Sequence, residues 1–263
     1  MSDYTLVDLL SKDECNSYSS RIDSIKDKWI KRPVGEYHFY TLGTATHLDV
    51  ETRNGNLDED YFSYINHNNN ILKDNFSDLY DKVFKTLVKI LGPCEFIEDA
   101  PIPGFFIYGE KKNGLETNPV PAIGGKTNIH SDKQLEHLGY VWSNYSNIET
   151  DTIGFTLPIE VPDSGSAILL WDQPNHGFYM DNDMSDAYKR YDYTENPNNI
   201  DVLNNNIINK IPEVIEHIPG RMFLQHGPIW HAAGHAVKPT TSDRRITLQG
   251  FGAKCDGIWR LCF

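Results

Sequence analysis

Two separated groups of residues in this chain have the types and spacing of a metal site. His130 and Asp132 flank a single serine in the middle of the sequence, and His231 lies near the end, with Arg245 downstream. Two imidazoles and one carboxylate fill one side of an octahedral iron and leave positions open for a co-substrate and oxygen. An arginine on the open side can bind an acid through paired hydrogen bonds. The set therefore predicts oxidation chemistry at non-haem iron.

The spacing of the two middle ligands fits a β-strand, in which alternate side chains point to the same face. His130 and Asp132 would then reach the same ion. The third ligand must come from another strand, because His231 lies 101 residues after His130. We therefore expect a tertiary site and not a local metal finger. A His-x-Asp pair occurs by chance in many chains, so this interpretation depends on the second group.

Composition and charge restrict the possible partners. The chain has 263 residues, of which 39% are hydrophobic and 12% aromatic, which is enough for a sizeable core. With 24 basic and 37 acidic residues, the formal net charge is -13, which disfavours nucleic acid or an anionic membrane as the main partner. Neither a signal peptide nor a membrane-spanning apolar run is visible. We expect a cytoplasmic protein that acts on a small molecule, with its oligomeric state left open.

The four cysteines do not form a close pair of the kind that binds structural zinc. They are Cys15, Cys94, Cys255 and Cys262. We expect packed, reduced thiols, and a Cys255–Cys262 disulfide is the less favoured alternative.

Helix signals are concentrated in the first third of the chain. Ser11 and Glu14 form a capping-box pattern, which predicts a helix from Ser11 to about Trp29. Apolar residues at helical spacing predict a second helix over 71–91, preceded by three asparagines at 68–70.

Strand signals follow, after an initial extended segment at 3–10. The predicted strands cover residues 103–108, 152–159, 166–171, 213–218, 221–225 and 245–251. Turn residues at 162–165 predict a hairpin between the strands on either side. Helices followed by antiparallel strands predict a mainly β (α+β) fold, a double-stranded β-helix (jelly roll) with flanking N-terminal helices.

The chain contains no linker that would divide it. We expect a single domain over 1–263, with a helical N-terminal support in 1–95 and the jelly-roll core in 96–263. The Asn-rich stretch 172–209 is interpreted as an insertion or lid.

The segment Gly220–Gly234 resembles the closing strand of the iron(II)/2-oxoglutarate-dependent oxygenases, in particular their phytanoyl-CoA hydroxylase-like branch. In those proteins the distal metal histidine follows a turn glycine by eleven residues, as His231 follows Gly220. The next stretch, His-Ala-Val-Lys-Pro from His235, is instead similar to the prolyl hydroxylase branch. There the histidine of a His-x-Val-x-Pro pattern binds the metal, and an arginine about ten residues later anchors the co-substrate, as at Arg245.

The two templates therefore differ on the distal ligand. We favour His231, with His235 as the alternative. His226 is less favoured, because Gly227 and Pro228 interrupt the strand that follows it.

The resemblance also implies the residues that bind the co-substrate. Arg245 and Thr247 share one face of a strand, so Arg245 would bind the distal carboxylate of 2-oxoglutarate and Thr247 would add a hydroxyl. Arg244 then points to the other face, and we expect it at the surface or in a loop. Core packing is the expected role of the aromatic residues that flank the site in sequence, which are Phe106, Tyr108, Trp142 and Trp230.

The resemblance implies a dioxygenase that uses Fe(II), 2-oxoglutarate and O2. It would hydroxylate an unactivated C–H bond of an amino acid or natural-product intermediate and release succinate and carbon dioxide. Asp132 argues against halogenation, because related halogenases have a small residue at that position.

Three other functions remain open from the sequence. One is a prolyl-type hydroxylase that acts on a protein, and another is a catalytically silent jelly-roll binding module. A cupin-like metal enzyme without a keto acid is disfavoured by Arg245.

Overall fold

The structure is a computed structural model. It describes residues 4–32, 39–45, 48–49, 59–98, 100–109, 142, 145–163, 166–171, 213–227, 229–233 and 243–262. These residues form helices α1 (Lys12–Ser24) and α2 (Glu59–Leu91), a short 3-10 turn (Lys26–Lys28) and twelve strands. The strands are β1 (Tyr4–Asp8), β2 (Ile30–Lys31), β3 (Phe39–Leu42), β4 (Cys94–Phe96), β5 (Gly104–Tyr108), β6 (Ile148–Glu160), β7 (Ala167–Trp171), β8 (Glu213–Glu216), β9 (Arg221–His226), β10 (Trp230–Ala233), β11 (Arg245–Cys255) and β12 (Ile258–Cys262).

The strands form two sheets. The larger sheet has the order β1-β9-β6-β11-β5-β3-β2, with β12 beside β11 and β4 beside β12. The smaller sheet has the order β10-β7-β8. All pairings are antiparallel except that of β4 with β12. The prediction of a mainly β jelly roll with N-terminal helices is confirmed.

The two faces of the larger sheet have different partners. On β11, Ile246 and Leu248 belong to the main apolar core, together with residues of α1 and α2. Because side chains alternate along a strand, Arg245 and Thr247 point to the opposite face. Phe223 of β9 shares this face, because Thr156 of β6 is opposite both Phe223 and Gln249 of β11. The face is directed towards the smaller sheet, because Phe223 belongs to the same apolar cluster as Leu170 of that sheet.

Helix α1 begins with the predicted capping box. The Glu14 amide donates to Ser11 Oγ at 3.3 Å, and the Ser11 amide donates to Glu14 Oε2 at 2.8 Å. The helix ends at Ser24 and not at Trp29, where the prediction placed its end. The chain continues as the 3-10 turn, and the Trp29 indole donates to the carbonyl of Ile22 at 3.1 Å.

Helix α2 is longer than predicted. It begins at Glu59, so Asn68 and Asn69 lie inside it and do not precede it. Both amides are buried and make tertiary hydrogen bonds. Asn68 Nδ2 donates to Thr44 Oγ1 at 3.0 Å, and Asn69 Nδ2 donates to the Ala100 carbonyl at 2.9 Å. These bonds outweigh the low helix propensity of asparagine.

The predicted hairpin around 162–165 is wrong. Strand β6 belongs to the larger sheet and β7 to the smaller one, where β7 pairs with β8 and β10. The turn therefore carries the chain from one sheet to the other. Sequence signals for a turn do not distinguish such a corner from a hairpin.

Other expectations have mixed outcomes. The segment 1–95 contains helices but also supplies β1, β2 and β3 to the larger sheet. The stretch 172–209 lies outside the described residues, and the single-domain assignment stays a prediction. The four cysteines are buried free thiols, as expected. In the described part of the chain, no helix combines the length and the apolar character needed to cross a membrane.

Candidate functional site

His231 lies between the two sheets. It is on β10, directly opposite Leu170 of β7. Residues opposite each other in a pair of strands share a face, and Leu170 belongs to the same apolar cluster as Phe223 of the larger sheet. His231 is buried, with 8% of its surface exposed. Its side chain therefore faces the interior of the jelly roll.

The hydrogen bond of His231 sets its tautomer. Nδ1 lies 2.8 Å from the carbonyl oxygen of Ile229. Because a carbonyl oxygen only accepts, Nδ1 carries the proton, and the lone pair of the neutral ring is on Nε2. Metal-binding histidines are commonly oriented by such a bond from the second ring nitrogen. His231 thus fits the role of an iron ligand.

The other predicted ligands are not tested. His130, Asp132 and the alternative ligand His235 lie outside the described residues. Among the residues that the structure describes, no group of three His, Cys, Asp or Glu side chains is assembled. The ligand set, including the choice between His231 and His235, stays a prediction. His226 ends β9, and its Nε2 lies 3.2 Å from Thr5 Oγ1 of β1.

Arg245 is the first residue of β11 and is 5% exposed. The carbon at the centre of its guanidinium lies 4.4 Å from the centroid of the Tyr108 ring. That ring is stacked on Phe39, with 4.4 Å between the ring centroids and 7° between the planes. Arg245 Nε is buried and has no hydrogen-bond partner among the described residues. A buried cation with an unused donor is suited to an anionic ligand.

Thr247 lies two residues along the same face and is 1% exposed. Its Oγ1 accepts a hydrogen bond from Gln249 Nε2 at 3.1 Å. Because this bond uses only a lone pair of the hydroxyl, the Thr247 proton can be donated to a carboxylate beside Arg245. Sequence reasoning assigned no role to Gln249, although strand alternation puts it on the same face as Arg245 and Thr247.

The expectation for Arg244 is wrong. It is 2% exposed and forms ion pairs with Asp23 of α1 and Glu160 of β6, the latter at 2.7 Å. It also donates to Ser19 Oγ at 2.9 Å. Strand alternation directs Arg244 away from the site, but α1 covers that face of the sheet. The two adjacent arginines thus point to opposite faces of the sheet. Arg244 ties α1 to the sheet, and Arg245 lines the site.

His217 is a polar residue of this region that sequence reasoning missed. It follows β8, two residues after Ile215, which belongs to the same apolar cluster as Phe223. Its Nδ1 lies 3.0 Å from Ser166 Oγ. The residue as a whole is partly exposed, but Nε2 is buried and has no hydrogen-bond partner among the described residues. The sequence signal for His217 was strand alternation, which puts it on the same face as Ile215.

The pKa of His217 is lowered to about 3, chiefly by burial and secondly by the charge of Arg245. The ordinary pKa is 6.5, so the unfolded chain binds a proton first as the pH falls. Stability from this residue is therefore present above pH 6.5 and is lost progressively below it. Between pH 7 and pH 5, we expect the unfolding free energy of the parent to fall by about 2 kcal/mol more than that of His217→Gln. Urea unfolding at both pH values measures this difference, and equal losses would contradict it.

The aromatic residues near the site have different roles. Trp142 packs with Ile97 and Cys255, and Phe106 packs edge-on against Phe39, as expected for core residues. Tyr108 does more than pack, because its ring supports the Arg245 guanidinium.

Comparison with solved structures identifies a known fold. An N-substituted L-amino acid dioxygenase from Burkholderia ambifaria AMMD, in complex with alpha-KG, matches with a TM-score of 0.51 and 12% identity, over 99% of this chain and 86% of that chain. The non-heme alpha ketoglutarate dependent epimerase SnoN from nogalamycin biosynthesis matches with a TM-score of 0.51 and 12% identity, over 95% and 80%. No protein-family model and no curated protein sequence matches the chain.

The chain therefore has the fold of the iron(II)/2-oxoglutarate-dependent oxygenases. The resemblance drawn from the segment around His231 and Arg245 is confirmed at the level of the fold.

Proposed function

We propose that this protein is an iron(II)/2-oxoglutarate-dependent dioxygenase that hydroxylates an unactivated C–H bond of a small molecule. The observation that carries the proposal is Arg245, a buried guanidinium with an unpartnered Nε in the described part of the chain. It lies beside Thr247, on the face of the larger sheet directed towards the smaller sheet, which contains His231. An unsatisfied buried donor is costly unless a ligand completes it.

The residues present fit both groups that the proposal requires. His231, with the predicted ligands His130 and Asp132, would hold the iron, and Arg245 with Thr247 would hold the distal carboxylate of 2-oxoglutarate. When bound, iron and 2-oxoglutarate supply the oxidising power for the C–H bond, with succinate and carbon dioxide as products.

The chain itself contributes orientation and a dry environment. The Ile229 carbonyl fixes the His231 ring, so that Nε2 presents the lone pair. The Tyr108 ring, itself stacked on Phe39, covers one side of Arg245 and limits the access of water to its charge. Paired hydrogen bonds from a guanidinium fix both the position and the direction of a carboxylate.

The substrate class follows from two supports. One neighbour is a dioxygenase of N-substituted L-amino acids, and another is an epimerase from nogalamycin biosynthesis. The net charge of -13 disfavours nucleic acid as the target. An amino acid or a natural-product intermediate is therefore our proposed substrate class.

The test is succinate formation that requires both Fe(II) and 2-oxoglutarate, screened with a panel of amino acids. We expect His231→Ala to lower this turnover by more than about a hundredfold and to reduce the iron retained after gel filtration, because it removes a direct metal ligand. His130→Ala and Asp132→Ala are expected to behave in the same way.

His67→Ala is the matched control, since this histidine is exposed on α2 far along the chain from the site. It should leave both turnover and iron content unchanged. A parent protein that binds neither iron nor 2-oxoglutarate would identify a silent binding module instead. Turnover stimulated only by a proline-containing peptide would move the substrate class to proteins.

A further inference from the structure

We propose that His217 and Arg245 form a two-sided clamp for the distal carboxylate of the 2-oxo acid. The guanidinium belongs to the larger sheet, and the imidazole, held by Ser166, belongs to the smaller sheet. This inference rests on the proposed function, and it gives the distal carboxylate a third contact, in addition to Arg245 and Thr247.

The first support is a pair of buried nitrogens that lack partners. In the part of the chain that the structure describes, His217 Nε2 and Arg245 Nε are both buried and form no hydrogen bond. The two segments also lie close together in the fold, because Pro158 is opposite Thr247 and its carbonyl accepts from the Gly220 amide at 2.8 Å. Consistent with this, the charge of Arg245 helps to lower the pKa of His217. Since neither nitrogen binds the other, a shared acceptor between them would satisfy both.

The second support is the way in which the imidazole is held. Ser166 is 6% exposed, and its Oγ lies 3.0 Å from His217 Nδ1. The backbone amide of His217 also donates to the Ser166 carbonyl at 2.8 Å. Both the ring and its backbone are thus tied to the strand segment that leads into β7. When the Ser166 hydroxyl donates to Nδ1, the proton of the neutral ring is on Nε2, where it can be donated to a carboxylate.

The third support is electrostatic. A second cation beside Arg245 would be repelled by it, whereas a neutral imidazole is not. Burial and the Arg245 charge both hold His217 in the neutral form. One cation and two neutral donors, Thr247 and His217, would then surround a single negative charge. This balance suits one carboxylate better than a doubly charged phosphate.

The arrangement has a consequence for co-substrate choice. A clamp with arms on both sheets has a fixed position relative to His231, because both sheets belong to the same packed core. A keto acid that lacks a distal carboxylate makes no contact with this clamp, so its affinity does not depend on the clamp. We therefore expect His217 to affect the affinity for diacids and not that for monoacids.

The experiment measures binding and not turnover. Dissociation constants for 2-oxoglutarate and for 2-oxobutyrate, which lacks the distal carboxylate, are determined by visible absorption with Fe(II) under nitrogen. We expect His217→Leu to weaken 2-oxoglutarate binding about tenfold, which corresponds to about 1.4 kcal/mol, with 2-oxobutyrate changed less than about twofold. His217→Gln keeps a donor and should stay within about threefold of the parent.

Two further variants make the result decisive. His67→Leu is the same substitution at an exposed site, and it should change neither constant. Ser166→Ala keeps the imidazole but removes its hydroxyl contact, and we expect at least a threefold loss for 2-oxoglutarate. If His217→Leu does not fold, Ser166→Ala and His217→Gln together decide the question.

The possible outcomes distinguish a failure of the clamp from a failure of the proposed function. If the parent does not bind 2-oxoglutarate, the proposed function fails. If the parent binds it and both His217→Leu and Ser166→Ala bind it equally well, the clamp is wrong while the proposed function stands. Equal weakening of 2-oxoglutarate and 2-oxobutyrate would also overturn the clamp, because it would indicate a general disturbance of the site.

Discussion

Arg245→Leu is expected to weaken 2-oxoglutarate binding by about a hundredfold or more while leaving the protein folded. Hydrogen bonds to a charged group contribute about 1.5–3 kcal/mol each, and a guanidinium forms two of them with one carboxylate. The same change removes a buried nitrogen that has no partner among the described residues. We therefore expect the unfolding free energy of the ligand-free variant to equal or exceed that of the parent.

The lysine variant separates charge from geometry at this position. Arg245→Lys keeps the positive charge but loses the planar fork, and its affinity should lie between those of the parent and the leucine variant. Equilibrium binding and urea unfolding measure the two quantities. Parent-like affinity in Arg245→Leu would contradict the assignment of this residue as the co-substrate anchor.

Arg244→Leu should have the opposite profile. It is expected to lower the unfolding free energy by about 2–3 kcal/mol and to change 2-oxoglutarate affinity less than about threefold. Its side chain is 1% exposed, and the substitution removes its ion pair with Glu160, which is 17% exposed. Removal of one partner of a buried ion pair is costly, but Asp23 is 44% exposed, and solvent screening there lowers the loss.

Arg221→Leu is the matched control for that experiment. Arg221 of β9 also pairs with a carboxylate of the larger sheet, Asp8 of β1, but the two side chains are 35% and 76% exposed. Its loss should be much smaller than that of Arg244→Leu, because exposed pairs contribute little. Equal losses in the two variants would show that the burial of Arg244 is not what makes its contacts stabilising.

Strand alternation was the most useful sequence signal for the site. It placed Arg245 and Thr247 together on one face, and the structure places both there, buried beside Gln249. The capping box at Ser11 was equally readable, because it depends on residues three apart. Both are local patterns whose physical cause lies within one element.

The errors concern features that depend on distant parts of the chain. Arg244 was expected at the surface because alternation shows which face a residue takes, but not that α1 covers that face. Asn68 was read as a helix boundary because its buried partner, Thr44, is remote in sequence. His217 was missed because its hydrogen-bond partner, Ser166, lies 51 residues earlier in the chain.

The direction of the Arg245 side chain is set by the register of β11 against β5. Arg245 is opposite Tyr108 and Thr247 is opposite Phe106, and these pairings fix where the guanidinium points. The number of residues between the histidine and the arginine has no direct effect on that direction. Insertions and deletions within 245–249 should therefore not be tolerated, because they would shift this register. Distant homologues are better sought by an Arg-x-Thr-x-Gln strand opposite aromatic residues than by a fixed count from the histidine.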